Sequence, residues 1–247
     1  MTEATLDAEQ TAEEHLWGAL HAANAPDRLK RARQGLHALV AESEPDTRVL
    51  LLRQAYLAHL ELGELQEALT TTQTMGEVGS LRDIVLADRA RVEWAMGDAQ
   101  SAIEAQRLAV RAAPASRRSF HLWSLATLQH FADDTQAALT TLEKAEQWAE
   151  RDGPLVRAHA AYVRLDAELP IEDLAGVLDE LERSPAREGY GAYLLGMLKY
   201  HIRDRRAAAV HLRAFLTRNA SVDAAKRLTL AEELARARRA LADIESD

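Results

Sequence analysis

The stretch Gly97–Pro114, "GDAQSAIEAQRLAVRAAP", sets a Gly-Asp turn ahead of alanines at 102 and 109 and closes on a proline. Small residues at fixed places within one amphipathic segment ask for a close neighbour on that side. Stepping back 34 residues lays "LGELQEAL" (Leu62–Leu69) against "MGDAQSAI" (Met96–Ile103), so that Gly63 matches Gly97 and Ala68 matches Ala102. Stepping forward 36 gives "ADDTQAAL" (Ala132–Leu139), with Asp133 in the Gly place and Ala138 in the Ala place. "IRDRRAAAV" (Ile202–Val210) supplies Ala208. "APDRLKRARQGL" (Ala25–Leu36) and "LPIEDLAGVLDEL" (Leu169–Leu181) offer Ala32 and Ala175. The six marker alanines are thus 32, 68, 102, 138, 175 and 208, spaced by 36, 34, 36, 37 and 33 residues. A fixed period of this length is the mark of a repeat architecture.

Each unit reads as two helices. The first carries apolar residues at helical spacing, as in "LWSLATLQHF" (Leu122–Phe131), then a Gly or Asp supplies the turn, and a second helix follows. Pro45, Pro114, Gly153-Pro154 and Ser184-Pro185 fall where pairs end, while Pro26 and Pro170 mark bends inside a pair. Small residues let two helices cross at the 8–10 Å separation of close packing.

Composition agrees. Of 247 residues, 47% are hydrophobic and only 5% aromatic, and helix formers far outnumber strand formers. The net charge of −9 leaves no basic footprint for nucleic acid. With no cysteine, disulfides, thiol nucleophiles and cysteine-ligated metals are excluded. The opening "MTEATLDAEQTAEEHLW" has no apolar core of a signal peptide, and no apolar run nears the ~20 residues of a membrane span, so a cytoplasmic protein is the expectation.

This pattern resembles the tetratricopeptide repeat, the 34-residue helix–turn–helix unit of α-solenoids. Leu86–Pro114 carries it best, with Ala90, Gly97, Ala102, Ala109 and Pro114 on the family's small, turn and proline places. Leu194–Asn219 follows, with Leu195, Gly196, Tyr200, Ala208 and Phe215, and then Leu122–Glu150. Tyr56 departs from the pattern where Gly or Ala is usual, Thr72 and Met75 replace an aromatic and an Ala, and the fifth copy lacks a small residue in its first helix. The resemblance implies an all-α, right-handed solenoid: an acidic leader over 1–12, six hairpins over 13–220, and a C-terminal capping helix with a short tail over 221–247. The capping stripe is Leu228, Leu230, Leu234, Ala237, Leu241 and Ile244.

It also implies an inner surface lined by the first helix of each pair. With the alanines as register, the inward places are Trp17 and His21; Arg53 and Leu57; Arg91 and Trp94; Trp123, Thr127 and His130; Arg157 and Arg164; and Tyr193, Met197 and Tyr200. One residue of slippage turns Trp94 or Trp123 into ordinary core. Arginines beside aromatics suit an extended or helical peptide with acidic and hydrophobic residues. The family's clamp for chaperone C-termini needs asparagines, and Leu57, Arg91 and Thr127 occupy those places, which argues against such a ligand.

No phosphate-binding loop, nucleophile elbow or H-E-x-x-H motif is present. His130 precedes Asp133 and Asp134, and His201 precedes Asp204, at spacings that suit turn capping better than a metal site. The sequence therefore reads as a non-catalytic, cofactor-free scaffold or adaptor for another protein, with homo-oligomerisation possible and neither nucleic-acid binding nor membrane insertion. The alternatives are an assembly subunit of a larger bacterial complex, similar to pilus or secretion assembly factors, and more remotely an enzyme or metal protein.

Overall fold

The computed structural model describes residues 3–39 and 44–246, with side chains from Thr11 onward. Among these residues every regular element is helical. The chain forms two compact units: residues 1–112 with 223–229, and residues 113–222 with 230–247.

Unit 1 holds three helix pairs: α1 (Glu3–Leu20) with α2 (Ala25–Ala38), α3 (Pro45–Leu62) with α4 (Leu65–Val78), and α5 (Arg82–Ala95) with α6 (Ala99–Ala112). Unit 2 holds α7 (Ala115–Phe131) with α8 (Thr135–Glu146), α9 (Gly153–Asp166) with α10 (Leu174–Arg183), and α11 (Tyr190–His201) with α12 (Arg205–Arg218). Two further helices follow, α13 (Ala224–Thr229) in unit 1 and α14 (Ala231–Ser246) in unit 2. Helix α1 begins at Glu3, inside the segment expected as a leader; residues 1 and 2 lie outside the described residues.

One turn recurs. Gly63, Gly97, Asp133, Glu168 and Arg203 all have positive φ, between 55° and 84°. After each, the next amide closes back on the first helix: Glu64 N to His59 O, Asp98 N to Glu93 O, Asp134 N to Gln129 O, Leu169 N to Arg164 O and Asp204 N to Lys199 O, all at 2.8–3.0 Å. This left-handed closure satisfies carbonyls that the helix end leaves open. It persists where Asp, Glu or Arg stands in the Gly place, so tertiary packing outweighs the cost of that conformation in a residue with a Cβ.

The turn gives a firmer register than the alanines. Seven residues before it lie Tyr56, Ala90, Ala126, Ala161 and Gly196, each buried. A Cβ on Gly196 would meet Leu212 at 2.6 Å, so the approach there is backbone-close. Ala161, 3% exposed, supplies the small residue that the fifth copy seemed to lack. Tyr56 fits because its hydroxyl donates to the Asp88 carbonyl at 2.9 Å.

Asp98, Asp134 and Asp204 cap the second helices through the amides of Ser101, Ala137 and Ala207. Four residues past each cap sit Ala102, Ala138 and Ala208, all with no exposed surface, as are Ala32 and Ala68. The fifth pair differs. Its cap is Asp173, bonded to the Gly176 amide, five residues after Glu168 rather than one. The extra residues around Pro170 shift the second helix, so Val177 takes the packed place and Ala175 is exposed. The register inferred for Ala175 is therefore wrong by two residues.

The C-terminal stripe is likewise not one helix. It breaks at Leu230: Leu228 joins the core of Val49, Tyr56, Met75 and Val92 in unit 1, while Leu230, Leu234 and Ala237 join the core of Tyr162, Tyr193, Leu198 and Phe215 in unit 2. No described helix is long and apolar enough to cross a membrane.

Candidate functional site

In unit 1 the first-helix face is built by α3 and α5. Apolar residues on the far sides of both helices bind them to α4 and α6, which leaves Arg53, Leu57, Arg91 and Trp94 half-buried. Arg53 and Arg91 both bind the Asp88 carboxylate, Arg53 at 2.5 Å, and the Asp88 side chain has no exposed surface. Two guanidiniums on one buried carboxylate leave a single net positive charge, and desolvation of each is offset by the shared anion. Leu57 packs against the core that also takes Ala225 and Leu228. Those two residues come from α13, which packs on α3 and α5. A segment of the chain itself thus occupies part of this face.

Trp17 on α1 and His21 just past its end stand apart. Both are exposed, their rings 4.1 Å apart, beside an open groove with Lys30 and Arg31 of α2.

In unit 2 part of the first-helix face lies in the interior. Tyr193 and Met197 are core residues, 0% and 5% exposed, and are corrected from surface to interior: the turn of α11 points them at α9 and α12. Trp123 donates its indole N–H to His159 Nδ1 at 2.8 Å and meets the Tyr190 ring edge-on at 4.8 Å. Because an indole only donates, His159 Nδ1 is unprotonated and its proton sits on Nε2. Burial drives the His159 imidazole down to about 3, so it is neutral. Thr127 turns back onto the Trp123 carbonyl.

His130 is buried and its Nε2 lies 2.9 Å from Asp166, not from Asp133 or Asp134; His201 also faces Asp166, at 3.6 Å. The hydrogen bond from His130 holds the Asp166 carboxyl down at about 2. Arg236 of α14 reaches the same carboxylate at 2.9 Å and its guanidinium lies 4.9 Å from the Phe131 ring centre. Helix α14 packs on α11 and α12, with Glu233 accepting from the Tyr190 hydroxyl and Asp243 from Tyr200. Burial raises the Glu233 carboxyl to about 7. Arg157 binds Glu180 and Glu146. Arg164 sits half-buried at the end of α9; the turn register moves the inward places of that pair to Ala158, Tyr162 and Leu165. No group of three or more described His, Asp or Glu residues could hold a metal ion.

The sequence pattern does not single out Asp88, His159, Asp166, Tyr190 or Glu233. A carboxylate with Arg three residues on, as at Asp88 and Arg91, is the one local signal. The tie of Asp166 to Arg236 and the packing of α13 on α3 span 70 residues or more of chain, and that of Glu233 to Tyr190 spans 43, distances no local pattern carries.

With this geometry in hand, solved structures are informative. The chain is similar to MamA (41-end) from Desulfovibrio magneticus RS-1, with a TM-score of 0.52 at 13% identity over 74% of this chain and 94% of that one. It is also similar to a tetratricopeptide repeat protein from Parabacteroides merdae ATCC 43184, with a TM-score of 0.51 at 14% identity over 90% and 98%. The fold is that of tetratricopeptide repeats. No family model and no curated protein sequence matches the chain. At this identity the likeness speaks for the fold of stacked helical hairpins and for nothing finer.

Proposed function

We propose that the chain is a non-catalytic interaction scaffold that holds a helical segment of a partner protein on the first-helix face of unit 1. The observation that carries this reading is α13 itself: a helix of unrelated sequence already lies on α3 and α5. A groove that accepts one short helix by apolar contact accepts another by the same physics. The corresponding face of unit 2 is partly filled by its aromatic–histidine core and by the ties from α14. The charged groups of both faces are committed to each other rather than arranged as a nucleophile, base and oxyanion site.

The test is site-specific photo-crosslinking in the source cell. A photoreactive side chain at Leu57 or Trp94 is expected to form adducts with the same partner protein. One at Val210, which is 60% exposed on the second helix α12, is expected to form none. Adducts from position 210 alone would move the binding surface off the first helices and end this reading.

A further inference from the structure

Only Asp223–Thr229 of the C-terminal region belong to unit 1; the chain on both sides, up to Val222 and from Leu230, belongs to unit 2. The short helix in this segment is less than two turns long. Ala225 is buried, and Leu228, three residues on, is half-buried in the same core. Lys226 and Arg227 are exposed. The segment therefore has an apolar edge at i and i+3 and a basic edge beside it. Both basic side chains stay exposed in the docked helix, so its hold on α3 and α5 is the apolar edge.

The arginines that suggested an acidic ligand already share Asp88, which cancels one of their two charges. Six residues do not hold a helix by themselves in water, because the nucleation cost exceeds what so few bonds return. The docked state of α13 therefore depends on its tether, which keeps its local concentration in the millimolar range. A methyl group at Ala225 also fills little of the groove compared with a larger apolar residue.

Resting on the scaffold reading above, we infer that α13 is a built-in occupant of the partner groove, displaced by a partner's amphipathic helix that presents apolar residues at the same three-residue spacing. The tethered copy sets the threshold that a partner must exceed. A partner helix longer than α13 brings more apolar contact than Ala225 and Leu228 supply.

The experiment uses the whole protein and a fluorescein-labelled peptide of residues 219–232, followed by fluorescence anisotropy. Ala225→Glu undocks the tethered helix, and Ala225→Gly with Leu228→Gly does so without adding charge. For a local concentration of ~1 mM and an intrinsic dissociation constant of ~0.1 mM, the peptide should bind either variant about tenfold more tightly than wild type. A peptide carrying Ala225→Glu and Leu228→Glu should bind neither variant. Variants that keep wild-type circular dichroism yet bind the peptide no tighter would overturn the proposal, as would equal binding of the Ala225→Glu, Leu228→Glu peptide. A wild-type dimer that Ala225→Glu dissolves would also overturn it, by making α13 a segment exchanged between copies. Failure here leaves the scaffold reading standing, because the crosslinking test follows the cellular partner and not this peptide.

Discussion

Two buried groups of unit 2 should pull its stability in opposite directions with pH. His159 is neutral in the folded protein, pushed from 6.5 to about 3 by burial and by nearby His130. Below pH 6.5 the unfolded chain takes up a proton that the folded chain refuses, so acid destabilises. Between pH 7 and 4.5 this amounts to roughly 2–3 kcal/mol. His201 and His211, also lowered by burial, act in the same sense. Glu233 is raised by burial, and by neighbouring Glu232, from 4.5 to about 7. Between those values the folded chain binds the proton and the unfolded chain does not, so acid stabilises, by about 3 kcal/mol over the same range. Asp166 is depressed, and its contribution is lost only below pH 3.8, outside the window. The two large effects nearly cancel in the wild type. Glu233→Gln removes one of them, so this variant should lose about 3 kcal/mol more than wild type on going from pH 7 to 4.5. His159→Gln should lose less than wild type, or gain. Urea unfolding at both pH values, with circular dichroism and tryptophan fluorescence, gives the four free energies for each comparison. Differencing against wild type removes every other titrating group. If Glu233→Gln and wild type changed in parallel, to within about 1 kcal/mol, the buried neutral carboxyl described here would not exist.

Other substitutions test the repeat and the charge cluster. Ala102→Leu should cost about 1–3 kcal/mol by overpacking a seam with no exposed surface, whereas Ala175→Leu should change stability by no more than ~0.5 kcal/mol; thermal melts of the pair separate the turn register from the alanine register. Asp88→Ala strands Arg53 and Arg91 beside each other. Because both guanidiniums reach water, the expected loss is about 2–3 kcal/mol, at or below the lower end for a broken buried pair, and it is read as a lower urea midpoint with unchanged slope. Arg203→Gly relieves a left-handed backbone at an exposed position and should raise the melting temperature, by roughly 0.5–1 kcal/mol in stability; a fall would mean the Arg203 side chain holds something the backbone does not.

The fold was legible because its two strongest requirements are local. A second helix capped by Asp and packed by a small residue one turn later writes itself into Asp98 and Ala102, Asp134 and Ala138, Asp204 and Ala208. The fifth pair failed the same reading because spacing was counted between alanines rather than from the turn. Four extra residues around Pro170 kept an alanine near the expected number while moving the packed place to Val177. The same slip shifted the inward residues of that pair onto Arg157 and Arg164, whereas the face belongs to Ala158, Tyr162 and Leu165.

The candidate site was legible only in part, for a different reason. Leu228 and Leu230 continue an apolar stripe that runs on to Ile244, and a stripe records that a residue is covered without recording by what. Here the covering differs on the two sides of one residue: Leu228 is held by the α3–α5 core and Leu230 by the α9–α11 core. No glycine or proline marks the break, because what ends α13 is competition between two cores for neighbouring leucines and not a local signal. The same holds for the arginines. Arg53 and Arg91 are half-buried, and Asp88, whose burial depends on both helices being in place, cancels one of their two charges. A groove read from its arginines alone invites an acidic ligand. With the buried carboxylate counted, that invitation is halved, and α13 already covers part of the face by apolar contact that no arginine announces.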